Sequence, residues 1–192
     1  MLSKSTYLVY CYIGAKAHGA LPQEGIEVKV ATPDTVEVLF RNDNRLKKTF
    51  LAFLRKKFYG IFLVQDNQWV TYGWLSRPQT PGPIHLPAKI KQMDVYWIFY
   101  CRTREGYQGR GLYKHLLRLL IGQALSESKN ADVYVDTVAD NVPSHQAVTS
   151  VGFRFCGIIE TSKLGMPKLG SWILGRWDKE VEHQNLPKGT LV

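Results

Sequence analysis

Long apolar runs are missing from this 192-residue chain. Nowhere does an uncharged stretch reach the roughly 18–20 residues needed to cross a bilayer, so no membrane-spanning helix is expected. Cysteine is scarce: Cys11, Cys101 and Cys156 are odd in number, far apart and set in apolar surroundings. That excludes a disulfide framework and the paired spacing of a zinc site, and it reads as thiols buried in a cytoplasmic protein without a metal. Internal repeats and low-complexity tracts are absent, which excludes solenoids and disordered tails as the main architecture. Acidic residues are outnumbered, 16 against 25 Lys and Arg, for a net charge of +9. The excess points to an anionic partner or ligand, either a nucleic acid or a phosphorylated small molecule, and composition does not separate the two.

What is present is an ordinary globular composition, 45% hydrophobic and 21% charged. A chain of this length buries a core without staples, so residues 1–177 are expected to form one domain and 178–192 a polar tail. Near the N-terminus Lys4, the apolar run 7–13 and Ala15-Lys16-Ala17 have the outline of a short secretory signal. The run is rich in tyrosine and Lys16 breaks the small-residue stretch at its end, so cleavage is not expected.

Periodicity then divides the chain. Residues 26–31 read as a strand, 33–40 as a helix opened by Pro33, and 44–57 as a second helix. In that helix Leu46, Phe50, Phe53, Leu54 and Phe58 form one stripe, while Arg45, Lys47, Lys48, Arg55, Lys56 and Lys57 fill the rest. Such a charge run is a solvated face, and no nucleic-acid partner is expected from it. A hairpin comes next at 60–64 and 69–75, then a proline-rich loop at 78–87. A continuous β-forming run at 94–102 suits a strand covered on both faces. Beyond it lie a helix at 112–126, a strand at 131–138, a short helix opened by Pro143 and closed by Gly152, and strands at 153–160 and 170–177. This order predicts an α+β fold with a mixed sheet.

The informative segment is the junction Glu105-Gly106-Tyr107-Gln108-Gly109-Arg110-Gly111-Leu112-Tyr113. A strand that ends in a glycine-rich turn and opens directly into a helix leaves several amides aimed at one spot, where phosphate binds. Gly109 and Gly111 let the backbone approach an anion and take left-handed dihedrals, and Arg110, Lys114 and Arg118 add charge. A dinucleotide fingerprint lacks its third glycine, and a nucleotide-triphosphate P-loop lacks its Gly-Lys-Ser/Thr ending.

The string Gln108-Gly109-Arg110-Gly111-Leu112-Tyr113 resembles the acyl-CoA signature of GCN5-related N-acetyltransferases, with Tyr113 standing where that family usually has glycine or alanine. Asn141-Val142-Pro143-Ser144 and Val151-Gly152-Phe153 resemble its second element, so the resemblance covers about 94–160 as an acyl-CoA-binding core. It implies acetyl-CoA or another acyl-CoA as cosubstrate, held by Cys101, Arg102 and Thr103 at the strand end, by Gln108, Gly109, Arg110, Gly111, Leu112 and Tyr113 at the turn, and by Asn141 and Ser144. It also implies an α/β/α sandwich whose mixed, mostly antiparallel central sheet is flanked by helices, and direct attack of an amine on the thioester. The family's usual thiolate-protonating tyrosine is replaced by Val148, so Ser144, His145 and Tyr134 are the expected catalytic groups, with Asp94, Asp136 and Glu105 as available carboxylate bases.

Of the aromatic cluster Trp69, Tyr72, Trp74, Tyr96, Trp97 and Tyr100, half should face the core and half wall an acceptor cleft. The expected reaction is N-acylation of a small amine, an amino sugar among the choices. Protein or peptide acetylation and a non-catalytic acyl-CoA-binding regulatory module are the alternatives, and a homodimer stays open.

Overall fold

The tyrosine-rich run near the N-terminus is a strand in the middle of a sheet. The structure, a computed structural model, describes residues 2–14, 24–83, 85–91, 93–166 and 170–178. In chain order the elements are β1 (Leu2–Tyr12), β2 (Glu27–Val30), α1 (Pro33–Leu39), α2 (Asn44–Arg55), β3 (Tyr59–Gln65), β4 (Gln68–Ser76), α3 (Ala88–Lys91), β5 (Tyr96–Thr103), α4 (Leu112–Glu127), β6 (Val133–Val138), α5 (Val142–Ser150), β7 (Phe153–Met166) and β8 (Gly170–Asp178). The strands form one eight-stranded sheet in the order β2-β3-β4-β5-β6-β1-β7-β8. Every neighbouring pair is antiparallel except β5 with β6.

Strand β1 pairs β6 on one side, Val9 opposite Asp136, and β7 on the other, Tyr12 opposite Phe153. Its alternation serves two cores. Leu8 and Tyr10 join Leu63, Leu75, Ile98 and Val135 under α4 and α5, which contribute Leu116, Leu117, Leu120 and Val148. Val9 joins Phe62, Tyr72, Trp74, Trp97 and Phe99 on the opposite face, under Val36 of α1 and Leu46 and Phe50 of α2. A strand buried on both faces reads as an apolar run without polar alternation, which is why this one has the outline of a signal sequence. The expected single domain and signal reading also touch 15–23, and the expected tail 179–192; both segments lie outside the described residues.

Local signals place the helices. Thr32 caps α1 in a reciprocal box with Thr35, their hydroxyls and amides 2.8 and 3.1 Å apart. Asp43 caps α2 by accepting the Leu46 amide at 2.9 Å, and Asn141 caps α5 by accepting the Ser144 amide at 3.2 Å. Each such cap contributes about 1 kcal/mol. The apolar stripe of α2 carries Phe50, fully buried and edge-on to Tyr72 at 5.0 Å and to Phe40 at 4.8 Å, so that its basic residues stay outward. Lys47 of that face pairs with Glu37 at 3.1 Å.

The feature that makes a site is the end of the β5–β6 ladder. The two strands pair only from Tyr96 with Val133 to Ile98 with Val135. Beyond that, β5 keeps to β4 through a register shift in which Gly73 faces both Tyr100 and Cys101, and Tyr100 takes φ +52°. A bulge of this kind bends its strand and frees it from one neighbour. Residues 99–103 and 136–138 therefore open as a notch in the sheet.

Candidate active site

A cavity of about 1020 Å³ occupies that notch and reaches the start of α4. Gly111, the residue ahead of the helix, has φ +76° and ψ 0°, a left-handed backbone that glycine adopts without steric cost, and no side chain caps the amides that come after it. Gly109 has φ +75°, and a Cβ built there would meet no atom within 4 Å. The helix opening lies on the cavity wall, where an anion is stabilised by uncapped amides and the helix dipole.

Of the residues expected to hold the cosubstrate, Cys101, Arg102, Thr103, Gln108, Gly109, Gly111, Leu112, Tyr113, Asn141 and Ser144 all line this cavity. Arg110 does not; its guanidinium lies 4.9 Å from the Tyr107 ring centre. Lys114, one turn into α4, supplies a cation to the lining instead. Burial pushes the Cys101 thiol up to about 12, which leaves it an inert wall rather than a nucleophile. Burial also raises the Tyr113 phenol far above its ordinary value, only partly offset by Ser144, whose hydroxyl donates to it at 3.4 Å. At neutral pH that phenol keeps its proton.

Two expected catalytic groups are elsewhere. His145 is 1% exposed and points into the core under α5, where Nδ1 meets the Tyr10 hydroxyl at 2.9 Å and the Thr137 hydroxyl at 2.8 Å, and Nε2 meets the Ala139 carbonyl at 3.1 Å. Burial lowers its pKa, and the ring does not line the cavity, where its expected role as an acid would need it. Tyr134 lies on the other face, stacked on Trp97 with rings 5.5 Å apart and 9° from parallel, and it does not line the cavity. Val148 is fully buried against α4.

Of the aromatic cluster, Tyr72, Trp74, Tyr96 and Trp97 are buried, while Tyr100 at the bulge is 44% exposed and lines the cavity. Of the three carboxylates named from the sequence, Asp136 lines the cavity and Asp94 and Glu105 do not. Sequence reasoning missed Tyr7 and His85, which line it too. His85 bonds Asp136, 51 residues away, so no local pattern announces it. Among the described residues no group of three or more His, Cys, Asp or Glu is placed to hold a metal ion, and no helix is long and apolar enough to cross a membrane.

The site is thus a sheet split between parallel neighbours, with a glycine-opened helix at the split. The profile of the acetyltransferase (GNAT) family matches residues 32–153, and the chain belongs to that family. Its fold is similar to a GNAT-family acetyltransferase from Colwellia psychrerythraea, with TM-score 0.56 and 13% identity over 81% of this chain and 54% of that one. It is similar also to a GNAT-family acetyltransferase from Novosphingobium aromaticivorans, with TM-score 0.55 and 14% identity over 83% of this chain and 63% of that one. A tandem GNAT protein of the clavulanic acid biosynthesis pathway gives TM-score 0.55 and 14% identity over 79% of this chain and 50% of that one. This chain therefore spans about half to two thirds of the length of these structures. No curated protein matches it in sequence.

Proposed function

We propose that the chain transfers an acyl group, acetyl in the first instance, from acyl-CoA to a small amine. One observation carries the reading: the uncapped opening of α4 and the notch between β5 and β6 are ends of the same cavity. The helix opening suits the diphosphate of CoA. The edge of β5 beyond Ile98 suits the pantetheine arm, because its backbone groups on the β6 side have no strand to pair with and an extended ligand can take that place. The thioester then lies near the bulge at Tyr100, within a site that aligns it with an amine.

In this reading Tyr113 protonates the departing sulfur and Ser144 orients that phenol, a task that Val148 cannot perform. The second reading, an acyl-CoA-binding module without turnover, draws its support from Val148 alone, and the place of the Tyr113 phenol in the cavity beside Ser144 weighs against it. Calorimetric titration with CoA and acetyl-CoA, followed by thiol release over a panel of amines, separates them. Absence of CoA binding defeats both readings, and binding without thiol release favours the second.

A further inference from the structure

The cavity is lined from both faces of the sheet, and the side away from α4 holds a group that CoA binding does not use. His85, in the loop between β4 and β5, places Nε2 3.0 and 3.1 Å from the two oxygens of Asp136. The Asp136 side chain is 7% exposed and also accepts from the Trp97 indole at 2.5 Å. A carboxylate only accepts and an indole only donates, so Asp136 fixes the proton of His85 on Nε2 and leaves the lone pair on Nδ1. The imidazole lies against Tyr7 of β1, ring centres 5.3 Å apart, and all of His85, Asp136 and Tyr7 line the cavity. A ring nitrogen oriented through its partner nitrogen by a nearly buried, doubly bonded carboxylate is the arrangement that prepares a base.

We propose that His85 is the general base for the acceptor amine, with Asp136 and Trp97 as positioning residues. The acceptor is a small protonated amine, drawn by the Asp136 charge and by the ring faces of Tyr7 and Tyr100. This rests on the acyl-transfer reading. An ammonium has no lone pair to attack with. His85 Nδ1 takes one of its protons, and the freed nitrogen bonds to the thioester carbonyl carbon. The carbon–sulfur bond breaks with its electron pair going to sulfur, which takes the Tyr113 phenol proton, and the nitrogen's second surplus proton replaces it on Tyr113. The products are the amide, the free thiol and a protonated His85 that returns its proton to water.

The test uses the full chain with acetyl-CoA and three amines, tyramine, cadaverine and glucosamine, following thiol release while calorimetry follows CoA binding. His85→Gln retains an amide that can donate to Asp136 but has no base, and its kcat/KM for the best amine should fall about 10²–10⁴-fold with CoA affinity unchanged. His85→Ala should regain turnover when imidazole is added. Wild-type turnover in His85→Gln, or a loss in His85→Ala that imidazole does not repair, overturns the assignment. The ¹⁵N spectrum of the wild-type histidines is a check that needs no variant: a proton on Nδ1 of neutral His85 overturns it as well. If the wild type binds no CoA, the acyl-transfer reading falls and this one with it. If it binds CoA but accepts none of the amines, the base role falls and the acyl-CoA-binding module without turnover is favoured; if an amine turns over and the His85 variants keep wild-type rates, the base role falls alone.

Discussion

Gly109 offers a test of the diphosphate site in which charge is the main variable. Alanine and aspartate at this position both meet a left-handed backbone, φ +75°, and a Cβ there has no neighbour within 4 Å. Alanine costs about 1–2 kcal/mol of backbone strain and aspartate, which tolerates this region better, less, so for a chain of this size Tm falls by roughly 2–8 °C for alanine and by less for aspartate. They differ in that Gly109→Asp puts a carboxylate beside the bound phosphates. At about 5 Å and an effective dielectric of about 20, one pair of charges repels by roughly 3 kcal/mol. Gly109 is exposed, and solvent and salt screen the pair, so about half survives. CoA should then bind Gly109→Asp about 10–100-fold more weakly than Gly109→Ala, each tenfold being about 1.4 kcal/mol. Acetyl-pantetheine, which lacks the diphosphate, should bind the two equally. Equal CoA affinity of the two variants in calorimetry would refute the placement of the phosphates at this turn.

Removing the Tyr113 hydroxyl as Tyr113→Phe should slow thiol release about 10²-fold or more while CoA still binds; unchanged turnover eliminates the phenol as the acid. Phe50→Ala should cost about 3–5 kcal/mol in urea unfolding, since the ring is fully buried among other aromatics; a cost under about 1 kcal/mol would mean that α2 does not pack as described. Gly60→Ala forces a Cβ to 2.8 Å from both Ala31 Cβ and Trp74 Cζ3 and should destabilise by about 1–3 kcal/mol, read from the same curves. Burial holds His145 below its ordinary value, so the unfolded chain binds the extra proton. The stability carried by neutral His145 is complete above the unfolded value of about 6.5 and is lost as pH falls through the folded one. His145→Gln should flatten that slope, leaving the part due to His115, also lowered by burial, and an unaltered pH dependence would contradict the burial.

Much of the cavity wall at the opening of α4 was legible because its determinants are contiguous. The glycines at 109 and 111 act on the backbone they sit in, and Asn141 caps the helix three residues ahead of itself, so a string of residues suffices to read them. His145 misled because the helix position places it correctly along α5, while its rotation toward Tyr10 depends on a strand 135 residues away. Strand β1 was illegible for a related reason: an apolar run buried on both faces carries no period-two alternation to distinguish it from other apolar segments.

By itself, then, the sequence determined most of the elements after β1, the glycine-opened helix and the α+β class, since each comes from local dihedral preference, capping and hydrophobic period. Tertiary structure alone decided that β1 enters between β6 and β7 and that β5 parts from β6 after Ile98. It also brought His85 onto Asp136. Those are pairings between distant segments, set by the competition of strand edges and packed faces for one another, and nothing in a window of neighbouring residues encodes the outcome of that competition.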